Sequence, residues 1–283
     1  CWAPVMVLVQ KWVPDNRRGT ALSFVAIGAG TGIFIWGILL PVIVRHLGWA
    51  AGWVALGVTA FVTAFLNFIL VRNPVNSKPK KKSNKPNLKT FLASYHHIFL
   101  QSPFWIIGIA YLLVGFSLII LFSFLPVYAR ESLGMPYIVS TRFISIIAVF
   151  GIIGQLGLGS LSDKVGRIRV MVFCSATMAI GSLGIVFAEN VWSLYFVVGL
   201  YGFGYGAVWP VYAAVAADIF SRQHTGGIIG LWTLFLGIGS LSAPVISGWI
   251  IDSTGSYTWI FLLATLAGLL SALILLFIPK TVR

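Results

Sequence analysis

The stretch "GSLSDKVGRIR", residues 159–169, places four charged side chains within eleven positions of a chain in which only 9% of residues are charged. It is bounded by residues 139–158, where Arg142 is the one charged side chain, and by residues 170–188, which hold none. About 20 apolar residues are what a helix needs to cross a hydrocarbon layer roughly 30 Å thick. The charged stretch is therefore a polar joint between two membrane-crossing helices, and the fold follows from how often that pattern recurs.

It recurs along the whole chain. Apolar runs over 20–44, 49–71, 104–128, 139–158, 170–188, 192–217, 226–250 and 257–279 read as eight full spans, and residues 1–11 as part of a ninth. A hydrophobic content of 59% and a mean hydropathy of +0.97 exclude a soluble domain of 283 residues. Open strands have no partners for their backbone groups in lipid, and the ten-residue alternation of an outer-membrane barrel is missing. The fold class expected is an all-α membrane protein.

The net charge of +13 raises the question of a nucleic-acid partner, and its placement answers it. With the joints numbered in order, the odd ones carry Lys11, Arg17 and Arg18, then Arg72 and the lysines of "KPKKKSNKPNLK" (78–89), then Lys164, Arg167 and Arg169, then Arg222. Lys280 and Arg283 fall on the same side, while only Arg45 and Arg130 lie on the other. Positive charge collects at cytoplasmic ends, so the basicity is topological and no nucleic acid is expected. The multi-pass protein is expected in the cytoplasmic membrane, with its basic linker near anionic headgroups and its C-terminus in the cytoplasm. Cys1 and Cys174 are too few and too far apart for a disulfide framework or a metal site, and no cofactor is implied.

The chain also repeats itself. "WAPV" (2–5) matches "VWPV" (208–211), and at nearly the same offset Gly19 pairs with Gly226, Gly30 with Gly237, Gly32 with Gly239 and Gly48 with Gly255. Residues 1–71 thus repeat 207–280, while the spans between 104 and 188 have no earlier counterpart. This spacing predicts two pseudo-repeated six-helix halves with the first half truncated: residues 1–72 as its remainder, 73–101 as the linker and 102–283 as the second half. Within the linker, Leu88, Leu92, Tyr95 and Phe99 recur at helical spacing, as in an amphipathic surface helix, with His96 and His97 upon it.

At the quoted joint, Asp163 stands where one helix ends. Its carboxylate suits the open N-terminus of another helix or an arginine, and Gly159 and Gly166 permit close approach and a tight turn. From composition alone, an ordinary basic turn reads the same way. The stretch resembles, however, the G-x-L-S/A-D-K/R-x-G-R-x-R signature of the major facilitator superfamily, and "DNRRGTALSFVAIGAGTG" (15–32) resembles that family's helix 4–5 loop and helix 5. The resemblance places 159–169 between helices 8 and 9 and Cys1 in helix 4. It implies a secondary transporter that rocks two halves about a central site, with Gly159, Asp163, Lys164, Gly166, Arg167, Arg17 and Arg18 as a cytoplasmic gate.

Three faces are candidates for the solute site. Tyr201, Tyr205, Trp209 and Tyr212 fall within about 80° on a helical wheel, beside a stripe of Gly199, Gly202 and Gly206. Aromatics suit a cavity wall, glycines close packing, and ordinary packing accounts for both as well. Thr233, Gly237, Ser240 and Pro244 share one small, polar face. Arg142 lies just inside its span, either snorkelling to headgroups or facing an anionic solute. No Asp or Glu lies mid-span.

"FLPVYARESLGM" (124–135) resembles the monocarboxylate porter and oxalate:formate antiporter branch, which implies a carboxylate solute. Where that branch carries a basic residue, four positions before the signature, this chain has Gln155. The expected function is secondary transport of a small organic solute, with a carboxylate favoured, coupled to a proton or counter-anion, by a monomer. An exporter of drugs or other amphipathic compounds, and a transporter-like solute sensor, are the alternatives. A membrane enzyme is disfavoured, since no cluster of acid, His or Cys lies at membrane depth.

Overall fold

The computed structural model describes residues 5–6, 8–9, 12–13, 17–70, 96–220 and 224–279. Among them the regular elements are helices α1 (Arg18–Leu70), α2 (Ser102–Glu131), α3 (Tyr137–Val165), α4 (Arg167–Val186), α5 (Val191–Ile219), α6 (Thr225–Thr254) and α7 (Thr258–Leu276). All seven are long and apolar enough to cross a membrane. The expected partial span 1–11 and the linker helix lie largely outside the described residues, although residues 96–99 are helical.

At 53 residues, α1 would run about 80 Å if straight, far more than one crossing needs. It is broken at Gly48, whose φ of 82° and ψ of 167° are not helical. The second arm folds back on the first: a Cβ on Gly52 would stand 3.1 Å from Leu40 Cδ1 and 3.2 Å from Val44 Cγ2. Two crossings result, as the separate runs 20–44 and 49–71 predict. The repeat partner of Gly48, Gly255, ends α6 in the left-handed conformation at φ 66°, with its N–H bonded 2.7 Å to the Ile251 carbonyl. Both glycines thus turn the chain with a positive φ at matching positions of the repeat, with different ψ of 167° and 12°. Gly48→Ala forces an L side chain into positive φ at a cost of about 1–3 kcal/mol, so a thermal midpoint several degrees lower is expected in detergent.

Helix association in lipid depends on close backbone contact and not on a hydrophobic drive between helices. The glycines supply that contact. α3 packs on α5 where a Cβ at Gly154 would lie 1.9 Å from the Phe203 carbonyl oxygen and one at Gly206 would lie 1.9 Å from that of Gly151. α2 meets α6 in the same way, a Cβ at Gly239 falling 2.0 Å from the Leu112 carbonyl oxygen. α4 packs on α5 and α7, α2 also on α7, and α1 principally on α3. Buried hydrogen bonds tie these layers: Ser117 Oγ with Tyr201 Oη at 3.2 Å, and Ser175 Oγ with Ser271 Oγ at 3.0 Å. At the end away from the basic joints, Tyr257 donates to Glu131 Oε2 at 2.6 Å, joining α7 to α2. That bond is the main reason the Tyr257 hydroxyl is pushed up to about 12.

Candidate functional site

A cavity of about 220 Å³ lies on the seam between the first arm of α1 and the pair α3 and α5. α1 contributes Ala26, Ala29 and Gly30, α3 contributes Ala148, Gly151 and Gln155, and α5 contributes Tyr205 and Trp209. Small side chains on two walls let the helices approach: a Cβ on Gly30 would already be 2.8 Å from Ile152 Cγ1. The third wall is aromatic, with Tyr205 edge-on to Phe122 and Trp209 edge-on to Tyr111, which backs it from α2. Gln155 is 3% exposed, and no hydrogen-bond partner among the described residues reaches its Oε1.

Below the cavity, at the basic end, the same three helices are fastened together. Asp163 Oδ1 accepts from the Gly19 N–H at 3.0 Å and pairs with Arg167 Nη1 at 2.9 Å. Its Oδ2 accepts from the Thr20 N–H at 3.0 Å and the Thr20 hydroxyl at 2.9 Å. The carboxylate thus caps the N-terminus of α1, where orphan amides and the helix dipole favour negative charge. Arg167, the first residue of α4, reaches on to Asp218 at the end of α5 and to Ser162 Oγ at 3.3 Å. The side chains of Arg167 and Asp163 are only 10% and 7% exposed. A Cβ on Gly159 would lie 1.8 Å from Ser23 Oγ, so that glycine is required for α1 to come this close.

The charged joint is shorter than its composition suggests. Residues 159–165 continue α3, and Gly166, at φ 103° and ψ 139°, makes the turn alone before α4 begins. Lys164 points outward and is exposed, as is Arg17; of Arg18 only the backbone at the start of α1 is described. Asp218 was not among the residues expected here. Its signal is scarcity: the chain has six acids, and this one ends a span on the basic side.

The aromatic stripe divides. Tyr205 and Trp209 line the cavity, whereas Tyr201 and Tyr212 do not: both are buried against the other helices, Tyr201 bonded to Ser117 and Tyr212 stacked on Tyr111 at 4.3 Å. At 100° per residue, Tyr201 and Tyr212 occupy one edge of the arc and Tyr205 and Trp209 the other, and the arc spans the border between core and cavity. Arg142 does not line the cavity either. It is exposed, on the face of α3 that carries the exposed side chains of Val149, Ile153 and Leu156. Thr233 is exposed on α6 and donates its hydroxyl to the Ile229 carbonyl at 2.7 Å.

Comparison with known proteins gives the family and the fold. Monocarboxylate transporter 12-B of Danio rerio is 26% identical over 314 residues, covering 100% of this chain and 65% of its own length. Monocarboxylate transporter 12 of Mus musculus is 24% identical, covering 98% and 63%. The chain therefore spans less than two thirds of these curated relatives. Among solved structures, the human organic anion transporter MFSD10 superposes with a TM-score of 0.75 at 14% identity, over 96% of this chain and 67% of that one. A transporter crystallised in an outward conformation, FucP, gives 0.73 at 13% identity, over 99% and 72%. These two establish likeness of fold. The family model described as Major Facilitator Superfamily matches residues 1–169 and 143–283, meeting over the segment that carries the signature. The chain belongs to the Major Facilitator Superfamily.

Proposed function

We propose that the protein is a secondary transporter that moves a small organic solute by alternating access, with the α1/α3/α5 cavity as its solute site and the Asp163 network as its gate. The observation that carries this is the coincidence of the two on one seam. The first arm of α1, a copy of α6 by repeat, meets α3 and α5 around a half-open cavity, and at one end Asp163 of α3 binds α1 and Arg167 of α4, which in turn pairs with Asp218 of α5. A site between repeat-related bundles, closed at one end, is what alternation of access requires. Gln155, Tyr205 and Trp209 are the proposed solute contacts, and Asp163, Arg167, Gly159, Gly166 and Asp218 the proposed gate. The asymmetry of basic residues supports a cytoplasmic position for that gate.

The names of the monocarboxylate transporter relatives support a carboxylate as solute. The apolar and aromatic lining supports a second reading, an amphipathic compound. Uptake into proteoliposomes separates them. Radiolabelled lactate, benzoate and a lipophilic amine are offered with and without an imposed pH gradient. Carboxylate uptake that accelerates with the gradient fits proton-coupled carriage of an acid; amine movement alone fits the second reading. No flux of any of the three above protein-free vesicles refutes the transporter assignment for these classes.

A further inference from the structure

We infer that the groove between α6 and α7, at the end away from the basic joints, holds one acyl chain of a phospholipid whose headgroup carries an ammonium group. The groove traces to one difference between the two copies of the repeat. Four positions after Gly48 stands Gly52, and the two arms of α1 close on each other there; four positions after Gly255 stands Trp259, whose indole prevents the same approach. α6 and α7 both pack on α2 and hardly touch one another. Between them Ile250, Leu262 and Leu263 form a half-buried floor, while Trp249, Trp259 and Leu266 form rims that are 71%, 56% and 51% exposed. The hydroxyls of Ser253 and Thr254, nearest the turn, are both donated back to the Ile250 carbonyl, at 3.1 and 2.7 Å, so the groove offers its occupant an apolar surface.

Position selects lipid as that occupant. Gly19 and Gly30, through which α1 meets α3, are matched on α6 by Gly226 and Gly237, and that face lies roughly 160° round α6 from Ile250 and Ser253. The groove is therefore turned away from the seam between the halves. Both helices are long and apolar enough to cross the membrane, and tryptophans gather where a span meets the interface. From Trp259 to Leu266 is about 10 Å of helix, which runs from that interface through much of one leaflet of a hydrocarbon core roughly 30 Å thick. A second helix would need small residues to bring its backbone close, and these rims are indole and leucine. Charge then chooses the headgroup. Asp252, beside Ser253, is exposed and has no ion pair among the described residues, and Glu131 at the same end of α2 is a second acid. Arg130 is turned to the Tyr137 ring of α3, 5.9 Å from its centroid. Acids and indole faces together favour an ammonium group.

The test titrates the intact protein, delipidated in a mild detergent, with dioleoyl phosphatidylcholine or dioleoyl phosphatidylglycerol and counts bound lipid by native mass spectrometry. One phosphatidylcholine is expected to be retained. Ser253→Phe, which places a ring in the groove from an exposed position, is expected to weaken that binding at least fivefold, and Asp252→Lys, which reverses the charge beside it, to do the same. Phosphatidylglycerol, which has the basic joints to bind, is expected to change less than about twofold in Ser253→Phe. The lipid-free thermal midpoint of both variants is expected to be unchanged, since both sites are on the surface. Phosphatidylcholine binding that is absent, or unaltered in either variant, overturns the inference. So does cholesterol retained in its place and lost in Ser253→Phe, or a doubled mass that Ser253→Phe dissociates. None of these results touches the transporter reading, which stands or falls on uptake.

Discussion

Asp163→Asn is expected to lower solute uptake about tenfold while leaving the affinity of the cavity within about twofold. The carboxylate uses both oxygens: Oδ1 accepts from the Gly19 amide of α1 and pairs with Arg167 of α4, and Oδ2 accepts from the Thr20 amide and hydroxyl of α1. Asparagine keeps one acceptor oxygen and turns the other into an N–H₂ donor, which must face either an amide N–H or the guanidinium. Hydrogen bonds to charged groups contribute about 1.5–3 kcal/mol each, and 1.4 kcal/mol is tenfold in an equilibrium constant. Loss of even one net bond therefore shifts the gate far from balance, and a carrier that must visit both states slows. The cavity lies further along the same helices and loses no contact. Hydrogen exchange checks the cause independently of transport: peptides covering residues 17–24 are expected to exchange faster in the variant, because the capped amides are freed. Unchanged uptake together with unchanged exchange would show that the network is not a gate. Thr20→Val, which removes only the hydroxyl bond and keeps the amide, is expected to give a smaller loss of about threefold.

Gly154→Ala is expected to cause the largest loss of stability, and Gly157→Ala almost none. Both glycines are on α3, three residues apart. A Cβ at Gly154 would lie 1.9 Å from the Phe203 carbonyl oxygen and 2.8 Å from its carbon, so the obstacle is α5 backbone that no rotamer change can move aside. A Cβ at Gly157 meets nothing within 4 Å. Overpacking of this kind costs about 3 kcal/mol, or roughly 10 °C in midpoint for a chain of this size, whereas the exposed exchange gains from helix propensity what it loses elsewhere, within about 0.5 kcal/mol. Thermal unfolding of the two variants side by side checks this, and a similar midpoint for both would mean that α3 and α5 are not held in the contact described.

Much of the fold was legible because lipid makes the pattern coarse. Runs of about 20 apolar residues separated by charged joints give the spans directly, and the glycine offsets give the repeat, in which Gly48 and Gly255 both take a positive φ that other residues avoid. Asp163 was legible for a different reason: a lone acid among bases at a helix end has few electrostatic options, and capping α1 uses two of them at once. The cavity was less legible. Its walls include alanines and glycines whose importance lies in what they leave empty, and an alanine facing a cavity has the same sequence appearance as one facing a neighbour. The stripe of Tyr201, Tyr205, Trp209 and Tyr212 marks the side of α5 that borders the cavity, but a wheel resolves about a quarter of a turn, and the border between core and cavity falls inside that arc. Arg142 drew notice as a charge inside a span, yet a face is decided by the neighbours of a helix, which periodicity does not supply.

The fastening at Asp163 also has a consequence for the solvent. Four contacts converge on one carboxylate whose side chain is only 7% exposed, and two of them are backbone amides with no other intrahelical partner. Parting α1 from α3, as the proposed gate requires, leaves three of these contacts to be replaced by water while the Arg167 pair is kept, so opening that end would be a hydration step as much as a rotation. Its rate is expected to depend on water activity and to slow in osmolytes too large to follow the water in, while the opposite end, where Tyr257 and Glu131 already meet near the surface, is expected to be indifferent to them.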